Sequence, residues 1–584
     1  MSSHREFHKL RASALAALAV LVVGGCDLSV DNPNAPDKNR AFADPAGLAK
    51  LMSGAFRTWV GTRGDYFGAL PMTAMADNYT ASWNNAAIRF YNSVGVDCPS
   101  RCGWTNSATA PEAAGGPSVE SQWYGYYTVL VSANAVLSGI ANGVCFDDDC
   151  AVDNSLTSRN KAVSQMLQGM ALAGIAMVYD QGFVVDEATD LTNISTIPFS
   201  TRAEVRDAAL QKFEAAWTEA GTATWSTENE WAGVGAGQSY TNTQIRQVIR
   251  TMQAELVAMW PRNAAENGAA DWASVVTYAS QGVSSGTAFD WEYYVDITGR
   301  ECGDLDCVKT WGNSIGTMRV DTRVAALITT NHVSPWPEPN GNPCPTVSAD
   351  RRVGDGSYGP TDDFNGYSTV AATANAGTDF ACSGVAIFPP ARGQYHQSNL
   401  QHVRYQHLAY RGEDLPTADG TGPDPFYTRQ MNDLLWAEGL LRSGGSAAQA
   451  ATLINNSRVG RGGLAALTGA ETVPELLTAL QYEQEIEFMG QGPTPFFNRR
   501  RIDGLTFSSR SGLNDQTGTP RHMPVPAKEL DVLLRANYTF GGPGAPDMVG
   551  RTGEGVDQSR TARKTVGQIW EEYLSARRAF GRRN

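Results

Sequence analysis

The chain has 584 residues and a formal net charge of −14, because 60 acidic side chains outnumber 46 basic ones. Its 14 Trp, 20 Tyr and 20 Phe residues are too many aromatic side chains for a solvated, disordered chain, so most of it is expected to fold. The acidic balance argues against nucleic acid as a partner. Composition thus excludes two broad classes and leaves the activity open.

The N-terminus is typical of a bacterial lipoprotein. A basic start precedes an apolar run over residues 12–23, which is too short to span a bilayer. The run ends in Val23-Gly24-Gly25-Cys26, which resembles a lipobox. We therefore predict that residues 1–25 form a signal peptide that is removed, that Cys26 is lipidated, and that residues 26–43 form a polar tether.

Helix-start signals follow the tether. Asp44 is suited to an N-cap and Pro45 to the first helical position, while Thr201 and Thr241 each open a capping box. Apolar stripes at helical spacing predict further helices at residues 119–140 and 158–179 and one near Trp272. Helices in pairs with short connections predict a helical-repeat scaffold of the tetratricopeptide type over residues 44–283.

The pattern changes over residues 284–425. Gly, Pro, Asp and Asn punctuate this segment and four cysteines lie in it, which predicts a large loop-rich insertion with a small amount of β-structure. Helical periodicity returns over residues 426–530, and residues 531–584 form a Gly-rich and basic extension. The predicted fold class is therefore mostly α, with one large insertion.

Besides Cys26 the chain has eight cysteines, an even number, and three neighbouring pairs are spaced to close small loops. Zinc is the competing interpretation, but no histidine stands beside these pairs. Disulfides in an oxidising compartment fit better, with the connectivity left open. The predicted disulfide cysteines are Cys98, Cys102, Cys145, Cys150, Cys302, Cys307, Cys344 and Cys382.

An ordered set of segments runs along the chain: Cys26-Asp27-Leu28, Asn32-Pro33-Asn34, Trp123 to Asn134, Leu435 to Arg442, Ala450 to Arg458, Glu483 to Gly490, Phe496 to Arg501 and Pro524 to Leu530. This set resembles the SusD/RagB family of outer-membrane nutrient-binding lipoproteins. Two positions depart from the family pattern: Gln484 follows Glu483 where the family usually has Arg, and Asn498 stands where Asp is common. The segments cover nearly the whole mature chain, and no single one of them is decisive.

The resemblance implies a tetratricopeptide-like helical scaffold that is anchored by lipid at the outer membrane and faces the cell surface. It also implies that the protein captures oligosaccharides or peptides and delivers them to a SusC-like TonB-dependent transporter. No bond is broken in that role, so we expect no catalytic residue, no metal and no cofactor.

Ligand-binding residues are expected in loops, since aromatic side chains on helix stripes are used for packing. A sugar site combines an exposed aromatic face with polar groups that meet hydroxyls. The candidate residues are Tyr79, Trp83, Asn84, Trp104, Trp311 and Trp336.

Two alternatives remain open at this point, a lipid-anchored glycoside hydrolase and a structural interaction scaffold. On a helix the Cβ atoms of Glu483 and Glu487 would lie about 5–6 Å apart. This distance is near the roughly 5–5.5 Å separation of the carboxyl groups in retaining hydrolases. Both, however, would approach a sugar from one side, and the nearby residues 499–501 are arginines that offer structural ion pairs. Binding is therefore the preferred interpretation.

Overall fold

The computed structural model describes residues 43–81, 87–92, 104, 118–192, 194–233, 238–296, 306–314, 318–329, 348–353, 378–382, 398, 400–408, 420–502, 519–535 and 538. Its α-helices are α1 Pro45–Arg63, α2 Ala69–Met75, α3 Ile88–Asn92, α4 Ser118–Ala141, α5 Ser155–Val178, α6 Arg202–Glu219, α7 Asn242–Met259, α8 Ala264–Gly268, α9 Trp272–Ala279, α10 Cys307–Gly312, α11 Thr322–Ile328, α12 Arg429–Ser443, α13 Ala447–Arg458, α14 Val473–Glu487, α15 Thr494–Arg501 and α16 Ala527–Val532. The strands are β1 Tyr79–Thr80, β2 Gln181–Gly182, β3 Ser200–Thr201, β4 Trp291–Asp296, β5 Arg319–Val320, β6 Phe380–Cys382, β7 Leu400–His402 and β8 Thr421–Tyr427.

The predicted helix starts are confirmed by their hydrogen bonds. The Asp44 carboxylate accepts from the backbone N–H groups of Ala46 and Gly47, both at 3.2 Å, and α1 begins at Pro45. Thr201 and Thr241 each complete a capping box with the side chain three residues later. The mostly helical fold class is confirmed, and every sheet among the described residues has only two strands.

The helical body is built around α5, which is buried along most of its length between α4 and α6. Two glycines make this close packing possible, because a Cβ atom at Gly169 would lie 2.6 Å from the Phe213 ring of α6. A Cβ atom at Gly174 would lie 2.4 Å from the Tyr126 ring of α4. The same apolar core continues through α1, α7 and α9. Among the described residues, no helix is both long and apolar enough to cross a bilayer.

Strands β4 and β8 form an antiparallel ribbon, hereafter the neck, where the chain enters and leaves the predicted insertion. Trp291 pairs with Tyr427 at one end, and Asp296 pairs with Thr421 at the other. The Trp291 ring lies 5.6 Å from that of Trp59 on α1, centroid to centroid, and so fixes the neck to the helical body.

A second apolar core lies between the insertion and the helical body. It contains residues from α2, β1, α10 and α11 together with Ile486 of α14 and the neighbouring Met489. Strand β1 pairs antiparallel with β5, so the chain between α2 and α3 is tied directly to the insertion. The insertion contains the expected β-structure, and in addition two short helices that the loop-like composition did not predict.

One predicted disulfide lies within the described residues as a complete pair. Cys145 and Cys150 are bonded in the connection between α4 and α5, with an Sγ–Sγ distance of 2.00 Å. Asp147 lies beside them and accepts hydrogen bonds from the backbone N–H groups of Leu156 and Thr157, both in the first turn of α5. The disulfide predicted for Cys145 and Cys150 is thus confirmed.

The other cysteine predictions are covered only in part. Cys307 is also disulfide-bonded, and Cys382 is the last residue of β6. Outside the described residues lie Cys98, Cys102, Cys302, Cys344 and the predicted lipidation site Cys26.

Candidate functional site

Three of the predicted ligand-binding aromatics are buried rather than exposed. The Tyr79 hydroxyl and His402 Nδ1 are joined by a 2.7 Å hydrogen bond, and burial lowers the pKa of His402 to about 3, which keeps the ring neutral. Trp104 packs against the Tyr91 ring at 4.4 Å between centroids, and Trp311 is 4% exposed. The expectation that these three form an exposed platform was wrong, because large rings are needed to fill the cores beside the insertion.

The remaining candidates, Trp83, Asn84 and Trp336, lie outside the described residues. The ends of the segment that holds Trp83 and Asn84 are nevertheless described. Thr80 pairs with Arg319 in the ribbon of β1 and β5, and the Thr80 hydroxyl accepts from the Asn92 side-chain amide at 2.7 Å. Tyr79 and Ala81, which directly precede this segment along the chain, belong to the second core.

The chain leaves this segment through an unusual backbone conformation. Ala87 has φ of 58°, which is the left-handed region that favours glycine and is strained for alanine. Strain of this kind persists only where the surrounding structure imposes it, and it is concentrated at functional sites. The strain at Ala87 therefore favours a functional role for the residues directly before it along the chain.

Two half-buried aromatics beside the second core were missed by the sequence analysis. Tyr66 and Phe67, hereafter the aromatic edge, lie in the connection between α1 and α2. Their ring centroids are 4.9 Å apart in an edge-to-face arrangement, and the Tyr66 ring also meets the edge of Trp311 at 4.8 Å. The buried Trp311 thus supports a partly exposed ring that can contact a ligand.

The turn that carries the aromatic edge is held in place by Asp65. Its carboxylate accepts from the backbone N–H of Gly68 at 2.6 Å and from the Ser121 hydroxyl at 2.8 Å. The sequence signal was available, since two adjacent aromatics between a helix end at Gly64 and the next helix cannot both belong to an apolar stripe. The signal was overlooked because periodicity was sought within helices only.

The paired glutamates of the hydrolase alternative are fully buried in a cluster of arginines. Arg352 Nη1 lies 2.8 Å from Glu483 and 3.2 Å from Glu487, and Arg404 Nη1 lies 2.8 Å from the other oxygen of Glu487. Arg461 completes the cluster with a further short contact to Glu487. Because all four carboxylate oxygens face guanidinium groups, neither glutamate is placed to flank a sugar.

The electrostatics of this cluster point to structural ion pairing. Burial by itself would raise the pKa of Glu487, but the three arginines around it outweigh burial and hold the pKa well below its usual range. Burial raises the pKa of the neighbouring Glu483, and Arg352 only partly offsets it.

The arginines that the sequence placed beside these glutamates have other partners. Arg499 pairs with Glu485 at 3.3 Å, and Arg501 pairs with Glu438 at 2.6 Å. Arg500 donates to the backbone carbonyl of Met177 at 2.7 Å. The expectation that residues 499–501 would neutralise Glu483 and Glu487 was therefore wrong, since those cations come from the insertion and from the end of α13.

An internal cavity of about 20 Å³ lies in the helical body between Trp59, Arg63, Tyr126 and Glu255. A site of this size admits one water molecule, whereas small-molecule pockets span roughly 300–1,000 Å³.

The fold defines the class of the protein as a tetratricopeptide-like helical scaffold with a packed insertion. No family model and no curated protein matches the chain. Solved structures do: a SusD superfamily protein from Parabacteroides distasonis (TM-score 0.54, 11% identity) covers 83% of this chain and 98% of its own. A SusD superfamily protein from Bacteroides vulgatus (TM-score 0.52, 12% identity) covers 84% and 97%.

A SusD-like carbohydrate-binding protein from Bacteroides fragilis is also similar, with a TM-score of 0.50, 12% identity and coverage of 79% of this chain and 86% of its own. The chain therefore has the fold of the SusD superfamily, as the sequence resemblance predicted.

Proposed function

We propose that this protein is a cell-surface lipoprotein that captures oligosaccharides and delivers them to a SusC-like TonB-dependent transporter in the outer membrane. The observation that carries the proposal is the SusD fold, shared over 83% of this chain with a solved relative. The lipobox ending at Cys26 supports the lipid anchor. Peptides are the alternative ligand class.

The aromatic edge is the proposed binding surface, and Trp83 and Asn84 are proposed as further ligand-binding residues. Apolar C–H faces of a sugar stack on aromatic rings, while amide and hydroxyl groups meet the sugar hydroxyls. Tyr66 and Phe67 offer the rings, and Trp83 with Asn84 offers one more ring and an amide. Trp311 acts from below by supporting the Tyr66 ring.

The binding proposal is tested by titration calorimetry of the purified soluble chain with oligosaccharides from a panel of polysaccharides. Tyr66→Ala and Trp83→Ala are each expected to weaken binding about fivefold, because each removes a stacking contact worth roughly 1 kcal/mol. Tyr278→Ala is the matched control, since Tyr278 is also half-buried but lies on α9 of the helical body. Native affinity in both site variants, with the fold intact by circular dichroism, would contradict this location.

The delivery proposal is tested by a mild-detergent pull-down of the tagged lipoprotein from its native outer membrane. A TonB-dependent barrel recovered in about equal amount is the expected result. The matched control is Cys26→Ala, which lacks the lipidation site and should leave the barrel behind in the membrane. A native chain recovered without any barrel would contradict delivery while leaving ligand binding intact.

A further inference from the structure

Three charged side chains that are at most 2% exposed meet where β8 of the neck packs against α10. Lys309 Nζ on α10 lies 2.8 Å from Asp306 Oδ2 and 2.7 Å from Asp424 Oδ1 on β8. Its ammonium group also lies 4.4 Å from the centre of the Phe426 ring. One buried cation therefore serves two buried carboxylates.

The two carboxylates are partnered unequally. Asp306 caps α10, so its Oδ1 accepts from the backbone N–H of Lys309 at 2.9 Å while its Oδ2 accepts from the ammonium group. Asp424 Oδ1 forms only an ion pair with the same ammonium group, and among the described residues no hydrogen-bond donor meets either carboxylate oxygen of Asp424. If one of the two carries a proton, the geometry favours Asp424.

Within the described part of the chain, the other charged and titratable groups considered around the neck do not balance the excess charge. Glu292 on β4 adds a further carboxylate, Arg404 is paired with Glu487, and Arg63 beside Tyr427 is paired with Glu255. The Tyr405 ring is neutral because its pKa is raised, and His407 Nε2 lies 2.9 Å from the Pro423 carbonyl oxygen. With both aspartates ionised, the site would hold a net negative charge in a buried place, which is costly.

We propose that the neck contains a proton-binding site, in which Asp424 takes up a proton and thereby secures β8 to α10. A protonated Asp424 remains beside the Lys309 ammonium group and leaves Asp306 and Lys309 as a balanced pair. The proposal goes beyond nutrient capture and does not depend on it.

The electrostatics agree with this geometry and set the pH range. Burial raises the pKa of Asp424 from 3.8 to about 7, and Lys309 only partly opposes it. The pKa of Asp424 is therefore higher in the closed neck than in the opened one. At a pH between about 4 and about 7, Asp424 releases its proton when the neck opens. Opening should therefore become easier as pH rises from about 4 to about 7 and should then level off.

Infrared difference spectroscopy on the full chain tests for the proton. Native minus Asp424→Asn spectra are expected to show a protonated carboxylic acid band at pH 6 that is absent at pH 9. Asp306→Asn is the matched variant, because asparagine still caps a helix. Asparagine carries no charge, so Lys309 then has Asp424 as its single carboxylate partner in this group. In that variant the Asp424 band should be lost already at pH 6. A difference spectrum without the band at pH 6 would overturn the proposal.

Hydrogen exchange provides a second readout that needs only the native protein. The opening equilibrium of β4 and β8 amides, corrected for intrinsic exchange, should increase about tenfold per pH unit between pH 5 and 7. Asp424→Asn should remove this slope. If that variant fails to fold, a flat native profile over the same range still refutes the proposal, and a sloped one supports it.

Discussion

Glu438 is a buried carboxylate whose charge is stabilised by several hydrogen-bond and ion-pair partners. Both oxygens of this buried carboxylate receive Arg501, at 2.7 and 2.6 Å, and Gln484 donates a third hydrogen bond at 2.8 Å. Arg442 adds a second ion pair at 2.7 Å from the exposed side. The pair joins α12 to α15, so its loss affects two separate elements of the C-terminal half.

Replacing Glu438 with Gln is expected to destabilise the fold by about 3–5 kcal/mol at pH 7, because Arg501 remains buried without its counter-ion. Burial opposes ionisation of Glu438, yet Arg501 outweighs it and lowers the pKa from 4.5 to about 2. The stabilisation is therefore present above pH 4.5 and is lost as the pH falls towards 2. Urea denaturation at several pH values measures the difference from native.

The control for this prediction is Glu475→Gln, which changes an exposed glutamate in the capping box of α14. Glutamine fills the same capping role, so little change in the urea midpoint is expected. A native-like midpoint for Glu438→Gln at pH 7 would show that the ion pair adds no net stability.

At the residue scale the sequence indicated which residues would be charged and close, but not which would pair. Glu483 and Glu487 were correctly placed on one helix, since i,i+4 spacing is a local property. Two of their cations, Arg352 and Arg404, lie more than 80 positions earlier in the chain than the glutamates that they contact, and no local pattern reports such a contact. The exposure predicted for Tyr79 was wrong for the same reason. Tyr79 lies in a two-residue strand that exists only through its pairing with β5, and local sequence does not report that pairing.

At the element scale the long helices were predictable and the short ones were not. The N-cap side chains and apolar stripes of α1, α6 and α7 are strong local signals, and the observed starts agree with them. Helices α10 and α11 have caps too, Asp306 and Asp321. Each is only one to two turns long, so tertiary contacts rather than periodicity stabilise it.

The glycines of α5 give a prediction about helix packing. Gly174→Ala is expected to destabilise the fold by about 1–3 kcal/mol, because the new methyl group would overlap the buried Tyr126 ring of α4. The matched control is Gly54→Ala in α1, where nothing lies within 4 Å of the added Cβ atom. That variant should gain about 0.5–1 kcal/mol, because alanine favours a helix interior.

Thermal and urea denaturation of the two alanine variants separate packing from helix propensity. Opposite signs are expected, since the substitution is the same and only the surroundings differ. If both variants gained stability, α4 and α5 would have room to spare, which is inconsistent with the 2.4 Å approach at Gly174.

At the scale of the whole molecule, the insertion and the helical body share one stabilising unit. The second core takes Ile486 and Met489 from the helical part and Phe380 and Leu400 from the insertion. The arginine cluster joins the same two parts, with Arg352 reaching Glu483 at 2.8 Å. The loop-rich composition predicted an insertion with a small amount of β-structure but did not indicate that apolar residues such as Phe380 and Leu400 are buried against the scaffold.

Excision of the insertion is therefore expected to destabilise the helical body itself. Asp296 and Thr421 are paired neighbours at the end of the neck, so a short Gly-Ser linker can replace residues 297–420 without straining the ribbon. The shortened chain would still expose Ile486 and Met489 and leave Glu483 and Glu487 without Arg352 and Arg404. We expect it to be largely insoluble or to melt well below the native chain.

A milder variant keeps this expectation testable if the shortened chain cannot be purified. Phe380→Ala removes a fully buried ring of the second core and should cost about 3–5 kcal/mol. Because the core is shared, tryptophan fluorescence and helical circular dichroism should shift together in urea. Unfolding of the insertion in a separate, earlier transition, with the helical signal at its native midpoint, would show instead that the two parts are stabilised independently.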